Sequence, residues 1–236
     1  MSSDRAPSPE GRSLVERAIQ AVRDHIRAHD LKVGDTLPGE GSFAASLGVS
    51  RAVMREAFGA LAALRLIDVA NGRRARVGAI DGSVMGASLD HAVITDQISV
   101  SDVWDVRRTV EVRIAALAAL ARTAEQAERI MALAQAMEEA GGDMARITAH
   151  DIAFHEAIAD ASGNLLFAQI VRSFGPLMHT AVPKAWATRT SMEQRQLMIE
   201  RHLELARAIA AGDPQAAATA MHAHFDISVG QQLAYP

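Results

Sequence analysis

Cysteine is absent from all 236 residues, which removes disulfides, thiolate catalysis, iron–sulfur clusters and Cys-type zinc fingers at once. Any metal site must use His and carboxylates, and a reducing, cytoplasmic setting is expected. Aromatic residues contribute only 4% against 49% hydrophobic residues overall, a balance that suits a soluble globular chain with one or two largely aliphatic cores. Long apolar runs are missing too. Stretches such as Ile114 to Ala121 are broken by charge well before the ~20 residues that a bilayer core requires. The opening MSSDRAPSPEGR is polar and lacks the apolar run of a secretory signal.

Charge is unevenly spread. Residues 1–78 hold 12 Lys+Arg and 9 Asp+Glu, net +3, whereas residues 79–236 hold 12 and 19, net −7. Two modules with two tasks are implied: a basic one over 1–78, a Gly-punctuated linker over 79–100, and an acidic one over 101–236.

In the basic module, Ser13 with Glu16 makes a capping-box pattern, and Val15, Ile19, Val22 and Ile26 continue at helical spacing to about Asp30. A short helix from Ser42 stops at Gly48. Ser50 caps a third, whose buried stripe is read as Val53, Ala57, Leu61 and Leu64. Leu66–Ala70 and Arg73–Val77, joined by Asn71-Gly72, read as a β-hairpin. Three helices followed by a hairpin make a winged helix-turn-helix. The acidic module reads as an all-helical bundle, so the chain is mainly α. Its helices are expected from Ser101 (Val103, Val106, Val110, Ile114 and Leu117 inward), from Thr123, over about 143–161, over 165–180 with Pro183 interrupting, over 192–211, and from Pro214 to about Gln232.

Three constellations could carry chemistry. Arg51 and Arg55 are one turn apart near the start of the third helix, a geometry suited to guanine edges or phosphates in a major groove; a plain solvated face is the alternative. Arg73, Arg74 and Arg76 add a basic rim at the hairpin. Asp151 and His155 lie at i, i+4, and His202 and His224 sit on the apolar sides of the last two helices, so N and O donors could converge on a divalent metal. His222, two residues away, competes with His224. Arg107 and Glu111 form a further i, i+4 pair, either a routine ion pair or an arm that neutralises an anionic ligand.

These residues resemble the GntR superfamily of bacterial transcription regulators, in particular its FadR subfamily with the helical FCD ligand-binding domain. The resemblance rests on Gly34-Asp35-Thr36-Leu37-Pro38-x-Glu40, Leu47-Gly48-Val49-Ser50-Arg51, Arg55-Glu56-Ala57, Leu61, Gly72 and Val77. In the helical half it rests on Arg107-x3-Glu111, Asp151-x2-Phe154-His155, Ser162-Gly163-Asn164, His202, Gly212-Asp213 and Met221-x2-His224. It spans about Leu14 to Phe225. The family implies a homodimeric repressor or activator that binds a palindromic operator, its recognition-helix arginines matching Arg51 and Arg55 and its wing-tip Gly matching Gly72. With Ser50 at the helix start and Arg73 and Arg74 of the basic rim, these make the expected DNA-binding set. It also implies a metal held by Asp151, His155, His202 and His224, with zinc foremost and nickel or manganese as alternatives. Gly41 stands where a basic residue is frequent, the wing lacks a second Gly, and Arg201 replaces a frequent Glu before His202, so carboxylate support of that ring is not expected there.

The resulting expectation is a DNA-binding regulator controlled by a small carboxylate, a sugar acid foremost, that completes the metal's coordination and pairs with Arg107. Asn164 either binds the same ligand or caps a helix. A metal-dependent enzyme and a sensor of the metal itself are the rival readings.

Overall fold

The computed structural model describes residues 13–229; the polar segment before Ser13 and the expected helix end near Gln232 lie outside them. The chain divides between Val84 and Met85 into two compact units.

In the first unit, Ser13 and Glu16 cap each other reciprocally and α1 (Leu14–Ala28) follows. Helix α2 (Glu40–Leu47) starts two residues earlier than expected and ends at Gly48, whose φ of 65° is left-handed. Ser50 accepts from the Val53 N–H at 3.2 Å and opens α3 (Arg51–Ala63). The buried stripe of α3 is Met54, Ala57, Phe58 and Leu61, whereas Val53 is half-buried and Leu64 is exposed. The phase beginning at Met54 collects the larger side chains at i, i+3, i+4 and i+7, which decides the buried face; Leu64 only caps the helix.

Strands β1 (Ile67–Asp68) and β2 (Arg76–Val77) pair antiparallel, Ile67 opposite Val77 and Asp68 opposite Arg76. The tight Asn71-Gly72 hairpin is thereby corrected to a longer connection over residues 69–75, within which the Arg73 N–H bonds the Ala70 carbonyl. Its cause lies on the other side of β2. The segment 34–37, which the sequence offers only as a Gly- and Pro-bearing connection, bonds there through Gly34 N–H to Val77 O, Val77 N–H to Asp35 O and Leu37 N–H to Ala75 O, at 2.9, 2.9 and 2.8 Å. Ala75 and Leu37 are thus drawn into the core. At Gly78 the chain returns so close that a Cβ would stand 2.4 Å from the Arg65 carbonyl oxygen.

The expected linker is not featureless: α4 (Ser83–Ile94) occupies most of it, and Leu89, Val93 and Ile98 pack onto the core of the second unit. Helix α5 (Val100–Ala121) is capped by Ser99 with Asp102, rather than by Ser101. Its buried residues include Val103, Trp104, Arg107, Glu111 and Ile114, while Val106 is exposed. Two charged residues sit on the inward face, so apolar spacing alone points to the wrong phase. Helices α6 (Ala124–Glu139), α7 (Met144–Ala161), α10 (Met192–Ala211) and α11 (Pro214–Val229) lie where the caps place them. The expected helix over 165–180 is instead two, α8 (Leu165–Ser173) and α9 (Gly175–Ala187). Pro176 lies in the first turn of α9, where its missing N–H costs nothing, and α9 continues through Pro183. Helix α5 packs along α11, α11 along α10, and α6 along α7, around one aliphatic core.

Candidate metal centre and DNA-reading face

Helix α7 presents Asp151 and His155 one turn apart, α10 presents His202 and α11 presents His224; all four are buried. One ring nitrogen from each histidine lies within 4.8 Å of the others. His202 and His224 have ring centroids 4.5 Å apart, and His155 and His224 are 5.1 Å apart. His222 is exposed, so α11 turns His224 inward instead.

Outer contacts assign the ring protons. His202 Nδ1 lies 2.8 Å from the Met198 carbonyl, and His155 Nδ1 meets a Glu111 carboxylate oxygen; each Nδ1–H therefore donates, and each Nε2 carries a lone pair. His202 Nε2 then stands 3.1 Å from Asp151 Oδ1, which also offers only lone pairs. Two acceptors at that separation need a proton or a cation between them. Three imidazoles and a carboxylate, with the rings oriented from behind, fit a borderline divalent ion.

Electrostatics agree with that donor chemistry. Burial alone would raise the Asp151 carboxyl, but with a proton in that gap His202 Nε2 donates to it, and this bond with the charges of His155, His202 and Arg107 brings it down to about 2. The carboxylate therefore stays ionised, and a cation can take the proton's place. Glu111 behaves alike: burial opposes ionisation, and Arg107 and His155 outweigh it, leaving a value of about 2. Burial, reinforced by His202, His155, Arg107 and Arg189, pushes His224 well below the ordinary imidazole value, toward the neutral ligand form.

Arg107 is no surface ion pair. Its Nε donates to Glu111 Oε1 at 2.7 Å with both side chains buried, and its guanidinium lies 5.2 Å from the Trp104 ring. A narrow cavity of about 20 Å³ is lined by Asp151 and His155 together with Arg107, Trp104, Trp186 and Arg189. Asn164 does not line this cavity: it is exposed, and its Oδ1 accepts from the Leu166 and Phe167 N–H groups, which makes it the cap of α8. Arg201 pairs with Glu204, and His202 is supported by the Met198 carbonyl. Three participants escape the sequence reading: Glu111 as support for His155, Trp104 and Arg189. Trp104, one turn before Arg107, shares its face and was findable from spacing; Arg189 follows α9 in a connection without periodicity.

In the first unit, Arg51 and Arg55 are exposed on α3. The Arg51 guanidinium lies over Gly41, about 3.7 Å from where a Cβ would be. Arg55 Nε is 3.8 Å from a Glu40 carboxylate oxygen. Ser50 holds the helix start through its cap. Arg73 and Arg74 are exposed beside Gly72, whose φ is 71°. Arg76, by contrast, donates to the Gly34 carbonyl at 3.0 Å and braces the wing.

Residues 14–77 match the gntR family of bacterial regulatory proteins, and residues 102–227 match the FCD domain. The chain belongs to the GntR family and carries an FCD domain. It is 32% identical to the HTH-type transcriptional regulator LutR of Bacillus subtilis, over 84% of this chain and 92% of that protein. The HTH-type transcriptional repressor NanR of Cronobacter sakazakii is 26% identical, over 91% and 84% of the two chains. Among solved structures, a GntR protein of Streptococcus agalactiae superposes with a TM-score of 0.63 at 28% identity, covering 90% of this chain and 97% of that one. Relatives and fold are those of transcription regulators, not enzymes, so this GntR-family chain is a DNA-binding transcription regulator with a ligand-binding helical domain. No helix among the described residues is long and apolar enough to cross a membrane.

Proposed function

We propose that this regulator binds a palindromic operator as a homodimer, represses the genes beside it, and is released by a small organic acid bound at a divalent metal ion. Asp151, His155, His202 and His224 would hold the ion, zinc foremost with nickel or manganese next. When bound, the ion supplies a Lewis-acidic positive charge for a carboxylate or hydroxyl oxygen. The observation that carries the reading is the facing pair of acceptors, His202 Nε2 and Asp151 Oδ1 at 3.1 Å, of which Asp151 lines a cavity together with the buried Arg107. Arg107 is held by Glu111, so its charge is positioned before a ligand arrives.

Sugar acids lead as effectors, with small hydroxy and dicarboxylic acids next. The name of NanR, a repressor, supports repression here. On the DNA side, Ser50, Arg51, Arg55, Gly72, Arg73 and Arg74 form the reading set, with α3 in a major groove and the wing against the backbone. A ligand that touches α5 and α7 couples to DNA through any change of the bundle that alters the spacing of two reading heads.

Binding of a promoter fragment is measured with metal-loaded protein against aldonates, uronates, hydroxy acids and dicarboxylates, for the wild type and His202→Ala. Release by an acid in the wild type alone supports the proposal. Release that follows metal withdrawal, with every acid inert, supports direct metal sensing instead. Turnover of an acid would revive the enzyme reading.

A further inference from the structure

The cavity is more cationic, and less satisfied, than binding one carboxylate requires. Arg189 lines it opposite in sequence to Arg107 and is 5% exposed; its guanidinium lies 5.4 Å from the Trp186 ring and donates to the Ala185 carbonyl. Trp104 also lines it, 8% exposed, and its indole N–H is buried with no hydrogen-bond partner among the described residues. A buried donor without an acceptor is costly in a folded protein. This donor's residue lines the cavity, where an incoming group could satisfy it.

Charge counting leads to the same place. Arg107 and Arg189 are positive, Asp151 and Glu111 are negative, and rings that ligate a metal are neutral. The four charges cancel. A divalent ion would leave the buried site doubly positive, which a low-dielectric interior disfavours unless matching negative charge enters. A monocarboxylate removes half of that excess, and a dianion removes all of it.

We infer that the effector is a short dicarboxylic acid, hydroxylated or not, whose second carboxylate is received by Arg189 and the Trp104 indole N–H. This rests on the acid-sensing reading above and re-orders its effectors, with diacids ahead of sugar monoacids: the remote acid group, not the hydroxyl pattern of a sugar, selects the ligand. The open space in the cavity is only about 20 Å³, so a ligand enters only as side chains give way, and a chain of few carbons asks least of them. Arg189 and Trp104 are specificity residues, positioned before binding by Trp186, the Ala185 carbonyl and α5.

The test is calorimetric titration of the full-length, metal-loaded protein with two matched pairs, lactate against malate and gluconate against glucarate, alongside metal content. The diacid is expected to bind at least about tenfold more tightly than its partner, as a charge-assisted contact provides. Arg189→Gln and Trp104→Phe should each shrink that ratio, Arg189→Gln to within about threefold, chiefly by weakening the diacid and with metal content unchanged. Arg189→Lys should restore part of it. Should Arg189→Gln fail to fold, Trp104→Phe, which keeps the ring and loses only the N–H donor, carries the test alone. Monoacids that bind as tightly as diacids, or a preference that survives in every folded variant, would overturn the inference alone. If none of the four acids binds the metal-loaded protein, the acid-sensing reading falls and this inference with it.

Discussion

Arg107 and His155, on different helices, are joined through one carboxylate: Glu111 accepts from Arg107 Nε with Oε1 and from His155 Nδ1 with Oε2. The arm aimed at an anionic ligand and a ring aimed at a metal thus share a support. Displacement of either is transmitted to the other.

Glu111→Gln tests that connection. An amide has a single acceptor oxygen, so one of the two donors must face an N–H group and lose its partner. Metal affinity is expected to drop by about 10- to 100-fold, as for lost outer support of a ligating histidine, and acid affinity should weaken alongside it. Competition titration against a metal chelator reads the first effect and calorimetry the second. If both affinities survive intact, the shared support has no functional weight.

The arginines of the reading face should separate into two kinds. Arg51→Ala and Arg55→Ala, on α3, are expected to cost about 1–3 kcal/mol at particular operator positions and to relax base preference there. Arg73→Ala and Arg74→Ala, beside the left-handed Gly72, should weaken all sequences about equally and lower the salt slope by about one each. Binding to an operator-variant panel at several salt concentrations distinguishes the two. Arg76→Ala should instead reduce stability, because its guanidinium holds the Gly34 carbonyl.

Gly78→Ala puts a methyl group where the Arg65 carbonyl already sits, 2.4 Å away. Backbone has to move, and a loss of about 1–3 kcal/mol is expected in the unit that contains it. Operator binding should suffer while metal binding persists, since the residues proposed to hold the metal lie in the other unit. Equal damage to both functions would mean that the two units do not unfold separately.

Asp102 closes the capping box of α5, accepting from the Ser99 hydroxyl and N–H at 2.7 Å each. Those bonds favour its charged form and hold its carboxyl below the ordinary value of 3.8. A lowered folded value means that the contribution is complete above 3.8 and fades as pH falls through the folded pKa. Asp102→Ala should therefore melt earlier than the wild type by a constant margin at neutral and mildly acidic pH. The margin should close as pH drops below 3.8; one that persists under strongly acidic conditions would contradict this account.

Capping signals proved the most legible part of the sequence. Ser13 with Glu16, Ser50, and Thr123 with Gln126 each mark a helix start as read, because a cap is a local bond between neighbours in the chain. The clustering of the candidate metal ligands was legible for a related reason: Asp151 and His155 announce one helix face, and the apolar sides of the last two helices point His202 and His224 inward. What was lost involves distant chain. The extended segment 34–37 shows no strand pattern of its own, and only β2 beside it makes it one. On α5, the assumption that inward means apolar placed Val106 inside and left open whether Arg107 faced inward, whereas the helix is turned by a site that buries charge. The parts of Arg189 and Glu111 arise from packing between helices, which no single stretch encodes, whereas Trp104 shares a turn with Arg107 and its spacing reveals it.

Among the described residues, the two hydrophobic clusters share no side chain: one is built from residues of α1, α2, α3 and the wing, the other from helices beyond residue 84. Substitutions that re-aim Arg51 or Arg55 therefore need no compensation around His202, and a reshaped cavity at Arg189 or Trp104 leaves the reading helix as it was. Evolution can thus alter which genes are governed and which compound governs them along separate mutational paths, each passing through folded intermediates.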